Sequence, residues 1–169
     1  MKKVLFILTI IFFFNCNTTS EKQKKEHKKA EVNVSKDQIN FDRSIFNTIE
    51  DTKEKISLEK DKKYILDFWY LECAPCIQQH QEIKKHQVKL AENNIEVIGI
   101  SIDMSKKRWK EYLEEHPKNW LNYNQYFEEY DLKDDLEIKL FPAYYFINGE
   151  GVIIEKFNSF QKVITYLKL

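Results

Sequence analysis

The chain has 169 residues, room for one domain and a tail. Its 27 basic residues balance 27 acidic ones, and no basic face or RNA-type aromatic motif argues for nucleic acid. Glycine is scarce, at three residues, so glycine-rich phosphate cradles are excluded as well.

In chain order, residues 1–16 read as a targeting segment. Lys2 and Lys3 form a positive start, and Val4 to Phe14 form an apolar run of eleven residues. A bilayer span needs about 20 residues, so this run fits a secretory segment instead. It stops at Asn15-Cys16 and resembles a bacterial lipoprotein signal, in which the cysteine carries the lipid. The departure is Asn15, where a small residue is usual. Residues 17–38 are rich in Lys, Glu, Thr and Ser and cannot bury enough surface to fold alone. As a flexible tether of about 20 residues they would span on the order of 24 Å.

A folded domain is expected over residues 39–169. Ser44 to Ile49 and Lys55 to Leu58 read as short strands around a turn at Glu50–Glu54. Tyr64 to Tyr70 is a nearly continuous apolar run, the texture of a central strand buried on both faces. Cys73 to Glu92 follows as a helix, with Ile77, His80, Ile83, Gln87 or Val88, and Leu90 or Ala91 at three- and four-residue steps. Pro75 falls in its first turn, where the missing N–H costs nothing. Ile95 to Ile102 is a second buried strand, and strand–helix–strand implies a parallel pair. Ser105 caps a helix over Lys106–Glu115, with Trp109, Tyr112 and Leu113 on one face, and Pro117 stops it. Trp120 to Tyr130 reads as a short strand and then a helix through Asp135. Ala143 to Ile147 is a strand, Asn148-Gly149-Glu150-Gly151 a hairpin turn, and Val152 to Phe157 the returning strand. Ser159 caps a closing helix with Phe160, Val163, Ile164 and Leu167 inward. The class is α/β, a mixed sheet with helices on both faces.

Cys73 and Cys76, two residues apart at the strand-to-helix junction, carry the chemistry. A thiol at a helix N-terminus is biased toward thiolate, the form that attacks disulfides. A bridge closing so short a loop stabilises by only about 1.9 kcal/mol, against about 4.7 for a hundred-residue loop. The pair is thus a poor staple and a good redox switch. A metal site built from Cys73, Cys76, His80 and His86 fails on geometry: on one helix His86 lies about 240° from His80, and such ligands cannot surround a tetrahedral ion. With Cys16 lipidated, the odd third cysteine is accounted for and Cys73–Cys76 is the one pair left. Cys73 is then the nucleophile and Cys76 the resolving thiol. Glu72, a like charge beside Cys73, should raise its pKa modestly. Asp67 is an acid inside an apolar strand. Its own residues leave open a satisfied structural acid or a register that points it to solvent. His80 reads as a partly buried helix residue.

The Asp67-Phe68-Trp69 lead-in, Cys73-Ala74-Pro75-Cys76, and Phe141-Pro142-Ala143 before a strand resemble the thioredoxin superfamily over residues 39–169. The segment around Lys106–Tyr130 and the first hairpin resemble its membrane-tethered TlpA/ResA type. The resemblance implies an exported thiol–disulfide reductase with Asp67 buried beneath the pair, taking the proton of Cys76. A carboxyl so buried titrates closer to neutrality. The resemblance also implies a cis bond before Pro142 and a substrate groove along Glu72, Ala74, Pro75 and Phe141. Glu72, Phe141 and Ala143 depart from the usual residues at that rim. The expected partners are exported proteins with disulfides, a membrane thiol–disulfide electron donor, and the membrane itself through Cys16. The expected place is the periplasm-facing cell envelope, the expected state a monomer, and the redox group the cysteine pair, with no other cofactor and no metal. Two alternatives are a thiol oxidase and a copper-binding dithiol chaperone, for which His116 is the one downstream histidine.

Overall fold

The computed structural model describes residues 37–126 and 130–169. The expected signal segment with Cys16, and tether residues 17–36, lie outside them. The described residues form β1 (Phe46–Asn47), β2 (Lys53–Glu54), β3 (Lys63–Trp69), α1 (Ala74–Glu92), β4 (Ile95–Ser101) and α2 (Lys106–Glu115). β5 (Leu121–Asn124), α3 (Leu132–Asp135), β6 (Ala143–Asn148), β7 (Ile153–Phe157) and α4 (Phe160–Leu167) follow. The strands make one mixed sheet in the order β2-β1-β5-β4-β3-β6-β7.

β3 is central because both of its neighbours pair along it. It runs parallel to β4, with Asp67 opposite Gly99, and antiparallel to β6, with Asp67 opposite Tyr144. Every residue from Tyr64 to Trp69 is buried, as the apolar run predicts. Side chains alternate across the sheet. Tyr64, Leu66 and Phe68 enter the core shared with Phe46, Ile100, Tyr145 and Ile147. Ile65 enters the opposite core with Ile83 of α1 and Phe160 and Val163 of α4, and Trp69 packs with the cysteines. Asp67 has the parity of Ile65 and Trp69, which puts it on the α1 side. Gly99 leaves little room on that side: a Cβ there would come within 2.5 Å of Asn122 Oδ1 and 3.3 Å of Trp69 Nε1, so the Asn122 side chain would have to move.

α4 has eight residues, too few to hold alone in water. Burial of Phe160, Val163 and Ile164, each about 1.5–3 kcal/mol, holds it on the sheet.

Several expectations shift. The second hairpin strand is Lys53–Glu54, not Lys55–Leu58, because Thr48 and Thr52 close the turn early: their hydroxyls lie 2.8 Å apart and the Thr48 N–H donates to the Thr52 carbonyl at 2.9 Å. Ile56 and Leu58 still pack into the core, as an extended segment. On α1 the buried stripe is Cys76, His80, Ile83 and Leu90, and Val88 stands 70% exposed. Ser159 occupies the α4 N-cap position without a side-chain bond. Gln79 of α1 takes that role instead, its Oε1 accepting the Phe160 N–H. The Lys106–Glu115 helix and its Ser105 cap form as expected.

Candidate active site

The site is built where β3 ends and α1 begins. After Trp69, three residues turn the chain, and Cys73 caps α1. The Cys73 N–H donates to the Tyr70 carbonyl at 3.0 Å, and the Cys73 carbonyl accepts from Cys76 and Ile77 at 2.9 and 3.1 Å. Pro75 sits in the first turn, as its ring geometry allows. Cys73 and Cys76 are joined as a disulfide with Cα atoms 5.3 Å apart. The Cys76 backbone N–H points at Cys73 Sγ, at 3.3 Å. A helix N-terminus offers N–H groups that lack the usual intrahelical partner, and the Cys76 N–H is shared here between the Cys73 carbonyl and the Cys73 sulfur. Cys76 is fully buried and Cys73 is 3% exposed. Cys73 is thus the outer of the two, and far less exposed than its position at the junction suggests.

Three groups fix the rim. Phe141 stacks edge-on against Tyr70, centroids 5.3 Å apart, and the Phe141–Pro142 bond is cis. Ala74 and Pro75 are exposed, and Leu140 beside Phe141 is 81% exposed. Asp103, just past β4, is buried. Its Oδ1 accepts the Leu71 N–H at 2.9 Å and its Oδ2 accepts the Ser101 hydroxyl at 2.6 Å. Burial pushes the Asp103 carboxyl above its ordinary range despite these bonds. Glu72 does not stand alone beside Cys73. Arg108 Nη1 meets it at 2.8 Å, both side chains being more than half exposed.

Beneath the pair lies a polar chain. Asp67, with no exposure, has its Oδ2 3.0 Å from His80 Nε2. His80 is itself buried, one turn beyond Cys76 on the same face of α1. Its Nδ1 is 3.0 Å from Lys118 Nζ. Lys118 sits among aromatic faces, with its ammonium 5.3, 5.0 and 5.4 Å from the rings of Trp69, Tyr112 and Trp120. Burial brings the Lys118 amine down to about 8, against the pull of Asp67. Neither Asp67 Oδ1 nor the Tyr144 hydroxyl completes a hydrogen bond of ordinary geometry. Burial, then the charge of Asp67, pushes the Tyr144 hydroxyl well up.

The structure thus brings together Cys73, Cys76, Glu72, Ala74, Pro75 and, through Tyr70, Phe141. Asp67 joins from below and proves to be neither solvent-facing nor alone. His80 is a fully buried partner of Asp67 rather than a partly buried helix residue. Its place in the apolar periodicity of α1 was the available signal. Lys118 lies between two helix and strand elements with no local pattern to mark it. His116 caps the C-terminal end of α2 and packs on Tyr112 at 4.6 Å. Among the described residues no group of three His, Cys, Asp or Glu side chains is placed to hold a metal ion.

The fold and the junction cysteines define a class before any comparison does: a thioredoxin-type domain with a helix-capping cysteine pair. The Thioredoxin-like family profile matches residues 61–153, and the chain belongs to that family. The thioredoxin-like protein YneN of Bacillus subtilis is 24% identical over 127 residues, 75% of this chain and 74% of that protein. The thioredoxin domain of a thiol-disulfide oxidoreductase from Bacteroides vulgatus superposes with a TM-score of 0.61 at 22% identity, covering 74% of this chain and 90% of that one. StoA from Bacillus subtilis superposes with a TM-score of 0.56 at 15% identity, over 73% and 95% of the two chains.

Proposed function

We propose that this protein is a thiol–disulfide oxidoreductase of the TlpA/ResA type, working as a reductase of protein disulfides in the cell envelope. The observation that carries the reading is the Cys76 N–H aimed at Cys73 Sγ from the first turn of α1. When the disulfide opens, that donor and the helix N-terminus both favour negative charge on Cys73. Cys73 attacks a substrate disulfide and holds one half as a mixed disulfide. Cys76 gives its proton to Asp67 and attacks Cys73, releasing the substrate thiolate. The redox group is the cysteine pair itself. The substrate lies along Phe141 and Pro142, with Glu72, Ala74 and Pro75 completing the groove.

Names of similar proteins support the activity: the Bacteroides vulgatus relative is called a thiol-disulfide oxidoreductase, and a Cytophaga hutchinsonii domain a possible thiol-disulfide isomerase. Envelope placement rests on the amino-terminal reading, lipid attachment at Cys16 and a tether that ends before Asp37 and Gln38, which bond to the last hairpin. Among the described residues no helix is long and apolar enough to cross a membrane. The Ala74-Pro75 pair between the cysteines favours reduction over oxidation. Equilibration of the purified protein in a dithiothreitol series measures the direction. A potential near about −270 mV makes it a reductase, and one near about −120 mV makes it an oxidant.

A further inference from the structure

The chain from Asp67 to Lys118 is more than a buried ion pair, because an imidazole is interposed. A lysine ammonium has three donors and no acceptor, so His80 Nδ1, 3.0 Å from Lys118 Nζ, must accept. A neutral imidazole has one N–H, which then sits on Nε2 and points at Asp67 Oδ2, 3.0 Å away. One carboxylate oxygen is thereby committed. The other, Oδ1, is buried and faces the Tyr144 hydroxyl without a hydrogen bond of ordinary geometry.

We propose that Lys118 is a positioning residue for the redox step: acting through His80, it fixes the imidazole tautomer and holds Asp67 as a carboxylate whose other oxygen, Oδ1, takes the Cys76 proton. The proposal rests on the reading of Asp67 as proton acceptor given above. The step balances within the site. The Cys76 proton moves to Asp67 Oδ1, and the electron pair left on sulfur forms the Cys76–Cys73 bond. The bond from Cys73 to the substrate sulfur breaks, and its electron pair leaves with the substrate as thiolate. The substrate disulfide gains two electrons, and the dithiol loses them. When a dithiol reductant later attacks Cys73, the departing Cys76 thiolate takes the proton back from Asp67.

The surroundings explain why the ammonium can act at this depth. The faces of Trp69, Tyr112 and Trp120 hold the half-buried ammonium by cation–π attraction. A cleft of about 310 Å³ beside it shares no residue with the Tyr70–Phe141 rim. The polar, charged and aromatic groups that face His80 or line that cleft are Asp67 and Trp69 of β3, Gln81 and Lys84 of α1, Tyr112, Glu115 and His116 on α2 and its cap, Lys118 and Trp120, with Tyr144 of β6 facing Asp67. Of these, Lys118 has an amine brought down to about 8, and Lys84 repels it.

The test reads the tautomer directly, by ¹⁵N NMR of ¹⁵N-histidine-labelled full-length protein, with the His80 signal assigned from His80→Gln. The expected result below pH 7.5 is a single Nε2–H tautomer whose population shifts with a midpoint close to the Lys118 value as pH rises to 9.5. Lys118→Met keeps the aliphatic stem in the aromatic cage and should lose the fixed tautomer. It should slow release of a thiol from a Cys73 mixed disulfide about tenfold at pH 7 and move the pH midpoint of that release by about one unit. Lys118→Arg, which keeps the charge, should restore the rate to within about twofold. An unmutated protein with one unchanging tautomer from pH 6 to 9.5, or a Lys118→Met profile equal to wild type, overturns the proposal. Failure of the underlying reading looks different: Asp67→Asn would then resolve at the wild-type rate whatever the tautomer does.

Discussion

The two sides of the Cys73–Cys76 disulfide are built from opposite materials. Above Cys73 the rim is apolar and partly exposed, with Tyr70, Leu71, Phe141 and Leu140, and its one charge pair, Glu72 with Arg108, lies in water. Below Cys76 the protein buries an acid and an imidazole and continues the line with a half-buried amine, Asp67–His80–Lys118. Charges in water are screened and contribute little, whereas buried ones are felt strongly. In the proposed mechanism proton handling therefore falls to the buried side and substrate contact to the rim. Mutations on the two sides should differ accordingly.

The largest effect is expected below. Asp67→Asn should slow resolution of a Cys73 mixed disulfide about a hundredfold, measured by release of a chromophoric thiol. Its stability effect also has a definite sign. An isolated buried acid would be better removed, but Asp67 has His80 and, beyond it, Lys118. Loss of one member of a buried charged set leaves the other uncompensated, so the variant should be less stable, by about 3 kcal/mol, read from urea unfolding at pH 7. A gain in stability would mean that the line is not a coupled set.

An intermediate effect is expected where the rim is anchored. Asp103→Ala removes the acceptors of Leu71 N–H and the Ser101 hydroxyl. Each buried group left unsatisfied costs about 1–3 kcal/mol, so both stability and the rate of Cys73 attack should fall. Asp103→Asn, which can still accept from Leu71, should recover most of the loss.

A pH effect comes next. The Lys118 amine is brought down to about 8 in the fold, against roughly 10.4 for an unfolded lysine. Between these values the unfolded chain binds more protons, so unfolding free energy should rise with pH there and be flat below. Comparing wild type with Lys118→Met isolates that slope from the other lysines. The rise should vanish in the variant.

How much of this could be read from residues alone follows the same division. β3, α1 and β4 were legible because a two-sided apolar strand and a three-four helical repeat leave few alternatives. The cysteine pair was legible because its spacing is local. Pro142 became legible only through family resemblance. What stayed hidden depends on contacts between distant segments. His80 fits the apolar face of α1, and nothing nearby says that it will meet Asp67 thirteen residues earlier. Lys118 is thirty-eight residues from His80, in a connection whose sequence shows only Pro117 and Trp120. Arg108 neutralises Glu72 across thirty-six residues (108 minus 72). The displaced β2 was missed for a different reason: two threonine side chains, not the apolar pattern, decide where that turn closes.

The smallest effect is expected at the exposed pair. Glu72→Gln leaves Arg108 unopposed beside Cys73 and should speed alkylation at pH 7 by less than about threefold, because both partners are in solvent. A tenfold change would show that rim charge, not the helix end, controls the sulfur.

The most direct measurement is the order in which the two thiols react. The reduced protein is treated with a limiting alkylating reagent at neutral pH and the modified residue is located by peptide mass spectrometry. Label should accumulate on Cys73, with Cys76 modified only after unfolding. Preferential labelling of Cys76, or a Cys73 that stays unreactive while the fold is intact, would contradict the assignment of attack to the outer sulfur.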